Sequence, residues 1–238
     1  MMALILAGGR GTRLGNITKE TPKPMIKIGG LPILEYQINL LRRNGIKDII
    51  ILTGYLSNII KKYFKKGTDL GVNIDYSESS PETGTAERVK LVEKYLSNDF
   101  IILYGDIMTN INLLDFITFH KKKKGEYTIV VNHSDHPHDN DLVILDNDQK
   151  ITSFHPKPHG SEKNLGNLNN SGIYLMSKKI MRYINPKPGI ELDFGKHILP
   201  TVINKEKVYG YKTNQYIKDM GTIKRLQEVS QDFLNGKI

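Results

Sequence analysis

The sequence predicts an α/β fold, a doubly wound sheet that is mixed but mainly parallel, with a small substrate-facing lid subregion laid over it. Three observations carry this expectation. Apolar runs without polar alternation recur through the first half, as strands buried on both faces do. Between them lie segments of about 10–14 residues with helical spacing, and such alternation implies parallel strands joined by helical crossovers. The second half changes to short strands set among loops rich in Pro, His and Asn.

"MALILA" (2–7) reads as the first buried strand, and "PILEYQINLLRRNG" (32–45) as a helix that Gly45 closes as a C-cap. "DIIILTG" (48–54) is the second strand, followed by a helix from Ser57 to Gly67. "VNIDY" (72–76) is the third strand and "TAERVKLVEKYL" (85–96) the third helix. "DFIILYGD" (99–106) is a strand ending in a carboxylate, Asp106; a helix over 111–125 and the strand "YTIVVN" (127–132) follow. "LVILD", "KITSF", "SGIYLM" and "KVYGY" are the short strands of the second half. In open α/β sheets ligands sit beyond the carboxyl ends of the strands. That rule places the glycines after the first strand and Asp106 on one rim.

At 238 residues, with 39% hydrophobic and 25% charged residues, the chain can bury a full core as one α/β domain or as one domain with a small appendage. No apolar run approaches the roughly 20 residues that span a bilayer, and the N-terminus has no basic n-region or cleavage site. The expectation is a cytoplasmic protein with no membrane partner. There is no cysteine, which excludes disulfides, zinc fingers, iron–sulfur clusters and thiol nucleophiles. The formal charge of +9 suits a lysine-rich solvated surface and equally a polyphosphate ligand. Nucleic acid is not expected as a partner, because the basic run Lys121 to Lys124 has no interleaved aromatics and no recognition motif.

The first strand breaks into "LAGGRGTRLG". A dinucleotide fingerprint fails here: Gly9-Arg10-Gly11 supplies the first half, but Leu14 stands at the last glycine, and the loop runs on without entering a helix. A Walker A loop fails too, since no Gly-Lys follows at the required spacing. What remains is a glycine-rich backbone able to approach an anion, with Arg13 as a bidentate fork. Lys23 comes next as a point charge held stiffly between Pro22 and Pro24.

"LAGGRGTRL" followed by "PKPM" resembles the signature of sugar-1-phosphate nucleotidylyltransferases. The resemblance continues through "GTA" (84–86), "YGD" (104–106), "FHPKPH" (154–159), "NNSGIY" (169–174) and "YIKDMGTIKRL" (216–226). "HPHDNDLVILD", "DFGKHILP" and "YIKDMGT" are most similar to the branch acting on mannose or D-glycero-D-manno-heptose 1-phosphate with GTP. The resemblance implies a Rossmann-like fold of the nucleotide-diphospho-sugar transferase type in a single domain, 1–238. Its nucleotide-binding half would be 1–132, and its sugar-phosphate-binding half with the C-terminal helix 133–238.

It also implies Mg²⁺-dependent attack of a sugar 1-phosphate oxygen on the α-phosphorus of an NTP, giving an NDP-sugar and pyrophosphate for lipopolysaccharide or capsule assembly. Asp106 and Asp219 would hold the metal. Arg13 would grip the β- and γ-phosphates, and Lys23 would neutralise the α-phosphate. Leu6, Ala7, Gly8, Gly9, Gly11, Thr12, Gly84 and Thr85 would complete the nucleotide site. Lys157 would hold the sugar phosphate, with Asn170, Gly172 and Asp141 at the sugar. Two departures stand out: Pro156 replaces the glutamate before the sugar-phosphate lysine, and Pro81–Glu87 carries one insertion and lacks a final glycine. The segment "TGTAERVK" is also similar to hexose cytidylyltransferases, so CTP stays open as the nucleotide, with a sugar or another small phosphorylated substrate as acceptor. A catalytically silent nucleotide-sugar-binding subunit is a further alternative. The spacing of His133, His136, His138, His155 and His159 does not suit a metal cluster. A monomer or homodimer is expected.

Overall fold

The computed structural model describes residues 1–134, 136–159 and 165–238. They form two compact units interleaved in sequence: Met1–Thr83, Ile102–Leu113 and Gln215–Ile238 make the first, Gly84–Ile101 and Leu114–Asn214 the second. In chain order, β1 (Met2–Ala7), the two short strands β2 (Lys27–Ile28) and β3 (Leu31–Pro32), α1 (Ile33–Arg43), β4 (Asp48–Thr53), α2 (Ser57–Phe64) and β5 (Asn73–Glu78) come first. α3 (Thr85–Lys90), β6 (Asp99–Tyr104), β7 (Ile107–Thr109), α4 (Leu113–Lys123) and β8 (Tyr127–His133) are next. β9 (Leu142–Leu145), β10 (Ile151–His155), β11 (Leu168–Ser177), α5 (Leu199–Val202), β12 (Val208–Lys212), β13 (Ile217–Asp219) and α6 (Ile223–Leu234) complete the chain.

In the first unit β4 pairs in parallel with β1 on one side and β5 on the other, with Ile5 opposite Ile51. Ala3 to Ala7 and Ile49 to Thr53 are all buried, which is why these strands show no polar alternation. α1 presents Ile33, Leu34, Gln37, Ile38 and Leu41 inward and ends where Gly45 takes φ 76°, as its predicted C-cap does. The C-terminal strand β13 pairs antiparallel with β7, Asp219 opposite Ile107. This pairing draws residues 215–238 into the first unit. Behind it, Leu14, Ile26, Ile28, Ile33, Met108, Met220 and Val229 form one buried cluster, with Phe233 of α6 packed against it. A side-chain carbon on Gly29 would lie 2.1 Å from the Phe233 ring, so α6 docks only because that position is bare.

The second unit is mixed. β11 pairs antiparallel with β8 and β9, β9 pairs antiparallel with β10, and β12 runs parallel to β8. Its core stacks Tyr127, Tyr174 and Phe194 in edge-to-face contacts with ring centroids 5.5–6.5 Å apart. The third predicted helix is shorter than expected. α3 stops at Lys90 and a 3₁₀ turn covers Glu93–Tyr95, a tighter winding that leaves Val92 and Leu96 buried.

Candidate functional site

In the first unit the chain leaves β1 through Gly8 and Gly9 and turns at Gly11, which has φ 66°. A side chain on Gly9 would meet nothing within 4 Å, so the loop backbone is open there. On Gly11 it would come 3.1 Å from Thr18 and 3.3 Å from the Lys23 side chain. The loop therefore folds back onto Lys23, held by the Thr18 hydroxyl donating to the Gly11 carbonyl at 3.1 Å. Where the sequence suggested no helix, Thr12–Thr18 forms 3₁₀ turns broken at Gly15. Leu6 and Ala7 are buried in the strand, and the Leu6 carbonyl accepts from the Gly105 N–H at 2.9 Å.

That bond ties the two strand ends together and brings the predicted residues into one cluster. Lys23, on a short turn behind Pro22, forms an ion pair with Asp106. The Asp106 carbonyl accepts from the Met220 N–H at 2.9 Å, which sets Asp219 beside it on the paired strand. Arg225, from the first turn of α6, donates to Asp219 Oδ2 at 2.6 Å, and the Gly221 N–H donates to Oδ1 at 2.8 Å. Burial pushes the Asp219 carboxyl up, but the Arg225 charge and hydrogen bond, the Gly221 N–H and the Lys23 charge outweigh it, so the group stays ionised below its usual value. The N-cap of α6 is Thr222, whose side chain accepts from the Arg225 N–H; Asp219 is free of that duty. A side chain on Gly221 would stand 2.6 Å from Asp219 Oδ1 and 3.1 Å from an Arg13 nitrogen, which places the Arg13 guanidinium at this same spot. Arg13 is exposed and forms no ion pair among the described residues.

Arg225 is a residue that the sequence did not single out. Its signal was an arginine three residues past a helix N-cap, where the side chain can reach back over the preceding strand end. Two carboxylates, one in the β6–β7 turn and one at the end of β13, with no His or Cys beside them among the described residues, suit a hard cation that keeps substrate oxygens among its ligands. Among the described residues no group of three or more His, Cys, Asp or Glu could hold a metal ion.

The second unit gathers the other predicted residues differently. Gly84 and Thr85 lie at the start of α3, where a side chain on Gly84 would come 2.2 Å from the Leu192 carbonyl. Glu87 accepts from the Gly84 N–H at 2.8 Å, a helix-capping use for the residue that stands where a glycine was expected. Thr85 donates to Asp193 at 2.8 Å. Asp141 accepts from the Lys157 N–H at 3.1 Å, and its carbonyl accepts from the Asn170 N–H at 2.9 Å. Lys157 Nζ donates to the Asp139 carbonyl at 2.6 Å. The Asn170 side chain accepts from the Gly172 N–H at 3.3 Å and donates to the Tyr174 hydroxyl at 2.9 Å, and Gly172 has φ 68°. The histidines serve the loops: His133 bonds Asn167, His155 bonds Ser153, and His159 donates to the carbonyl of Asn140.

Residues 2–236 match the family described as Nucleotidyl transferase. The chain belongs to that family. Among curated nucleotidyl transferases, the mannose-1-phosphate guanyltransferase of Yarrowia lipolytica is 32% identical over 244 residues, 99% of this chain and 63% of the relative. The glucose-1-phosphate adenylyltransferase of Clostridium acetobutylicum is 32% identical over 259 residues, 99% of this chain and 67% of the relative. A solved structure of HddC from Yersinia pseudotuberculosis complexed with GMP-PN has a TM-score of 0.79 at 26% identity, covering 97% of this chain and 98% of that one. The chain spans 63–64% of the length of the first mannose-1-phosphate guanyltransferases it matches.

Proposed function

We propose that this nucleotidyl transferase makes an NDP-sugar, taking a nucleotidyl group from GTP and passing it to mannose or heptose 1-phosphate with release of pyrophosphate. The observation that carries the reading is the cluster at one place in the first unit: Lys23 paired with Asp106, Arg225 paired with Asp219, and the Arg13 guanidinium beside Gly221. GTP and mannose are favoured by the guanyltransferase relatives, and a guanine nucleotide also by the neighbour complexed with GMP-PN; heptose rests on the sequence motifs. An oxygen of the sugar phosphate bonds to the α-phosphorus, the bond from that phosphorus to the bridging oxygen breaks, and pyrophosphate leaves with the bonding pair. The attacking oxygen is already anionic, so no general base is needed; positioning and charge neutralisation carry the rate.

Arg13, with no ion pair among the described residues, takes the β- and γ-phosphates and the charge of the leaving pyrophosphate. Lys23 exchanges its Asp106 partner for the α-phosphate as the nucleotide arrives, which frees that carboxylate. Asp106 and Asp219 would hold Mg²⁺, which when bound polarises the phosphorus and lets the two anions approach. Arg225 keeps Asp219 ionised and fixed. In the second unit Lys157 takes the sugar phosphate, while Asp141, Asn170 and Gly172 shape the loop that presents it. Backbone at Leu6 to Gly11, with Thr12, Gly84 and Thr85, contacts the nucleotide. The product would serve surface polysaccharide assembly in the cytoplasm, from a monomer or homodimer; no helix of the described residues is long and apolar enough to cross a membrane.

The test is pyrophosphate release in Mg²⁺ with GTP, CTP, ATP and UTP, each against a panel of sugar 1-phosphates. GTP with mannose or heptose 1-phosphate is expected to turn over fastest. Nucleotide-induced thermal stabilisation without turnover by any pair would overturn the reading in favour of a silent binding subunit. Preference for CTP would correct the base.

A further inference from the structure

α1 carries a polar side chain on its most apolar face. Gln37 sits with Ile33, Leu34, Ile38 and Leu41 and is 1% exposed, a position where a sequence designed for packing alone would place an aliphatic residue. Its amide nitrogen donates two hydrogen bonds, to the Tyr104 and Ile107 carbonyls, each at 2.8 Å. Both partners are acceptors, so the amide orientation is settled: the reversed side chain would set its oxygen against two carbonyl oxygens. Its Oε1 has no hydrogen-bond partner among the described residues. A buried polar group kept with one end unsatisfied calls for an explanation beyond stability.

The two carbonyls flank Gly105 and Asp106, the turn between β6 and β7. That turn is tied on its other sides by the Gly105 N–H to the Leu6 carbonyl and by the Met220 N–H to the Asp106 carbonyl. A side chain on Gly105 would come 2.8 Å from the Leu6 carbonyl, so the turn is pressed close to β1. We propose that Gln37 is the positioning residue of Asp106: its amide clamps the carbonyls on either side and so fixes where the carboxylate points. The role of the fixed carboxylate in nucleotidyl transfer rests on the function proposed above; the clamp itself does not.

Gln37→Met keeps length and volume but cannot donate, and Gln37→Glu keeps the shape while turning the donor into an acceptor. Hydrogen exchange of the amides of residues 103–109 is measured in both variants beside pyrophosphate release. The expected result is exchange at least about tenfold faster in that segment alone, with turnover down about 10- to 100-fold, the Mg²⁺ concentration for half-activity raised, and the KM for nucleotide unchanged. A merely structural role would loosen the unit as a whole and leave the Mg²⁺ requirement where it was. Unchanged protection of 103–109, or lost protection with unchanged turnover and Mg²⁺ dependence, would overturn the proposal. Should the parent protein release no pyrophosphate with any pair, the proposed function fails, while exchange at 103–109 still decides the clamp. If Gln37→Met does not fold, Gln37→Glu supplies the same readouts.

Discussion

Two groups of residues sit in the two units, and the units use them in opposite ways. In the first unit the side chains meet each other. Lys23 pairs with Asp106, Arg225 with Asp219, and Arg13 stands beside Gly221 with no ion pair among the described residues. In the second unit most of the bonds of the candidate residues go to backbone: Asp141 takes the Lys157 and Asn170 N–H groups through its carboxylate and carbonyl, Lys157 reaches the Asp139 carbonyl, and Asn170 holds the turn at Gly172. The first arrangement keeps charge available, because an ion pair can exchange partners with an incoming phosphate. The second arrangement shapes loops. Substitutions in the first unit should therefore show in turnover, and substitutions in the second in substrate affinity.

The largest expected effect tests the first half of that contrast. Asp106→Asn and Asp219→Asn should each lower kcat about a thousandfold or more, read by pyrophosphate release at saturating substrates. Near-full activity in either variant would make its pair an ordinary structural ion pair. A smaller effect sharpens the other half. Lys157→Met should raise the KM for the sugar 1-phosphate about 10- to 100-fold, as loss of a charge-assisted contact does, and leave the nucleotide KM alone. A fall in thermal stability with both KM values unchanged would reduce Lys157 to a loop brace.

The smallest effect lies away from both clusters, on the helix that carries Arg225. Asp232 is held down to about 2 by hydrogen bonds from Lys237 and Lys218, against burial, with Tyr216 adding a third. A carboxyl lowered on folding contributes stability above its unfolded value of 3.8 and loses it as the pH falls toward about 2. Asp232→Asn should therefore cost about 1 kcal/mol near neutrality, an amount discounted for the partly exposed lysines. The difference from the parent should shrink below pH 4, be mostly gone at about pH 2 and vanish only below it, checked by urea unfolding across that range. A constant difference would mean that packing of the side chain, rather than its charge, anchors α6.

Much of the first unit was legible because its signals are local. Uninterrupted apolar runs at 2–7 and 48–53 required strands buried on both faces, and glycines directly after the first strand required an open turn. Asp106 and Asp219 were named through the resemblance of "YGD" and "YIKDMGT" to a family; in the structure Asp106 lies in the turn between β6 and β7, and Asp219 is the last residue of β13. The second unit was read less completely. The helix over 85–96 stops at Lys90 and gives way to a 3₁₀ turn at Glu93–Tyr95, although Val92 and Leu96 keep the i, i+4 spacing and the burial of one helical face. Asn170 gave no sign in the sequence that its amide would face Gly172 and Tyr174.

By itself the sequence determined the α/β class and the chain order of the main strands, since periodicity is a property of the chain; the charged residues near their ends were named by resemblance to a family. Only the tertiary structure decided which charges pair. Lys23 meets Asp106 across 83 residues, Gln37 reaches the carbonyls of Tyr104 and Ile107, and the pairing of β13 with β7 carries Asp219 and Arg225 to the same place. The physical reason is that an ion pair or a buried amide is selected by distance and desolvation in three dimensions, and neither is written in the local pattern of residues.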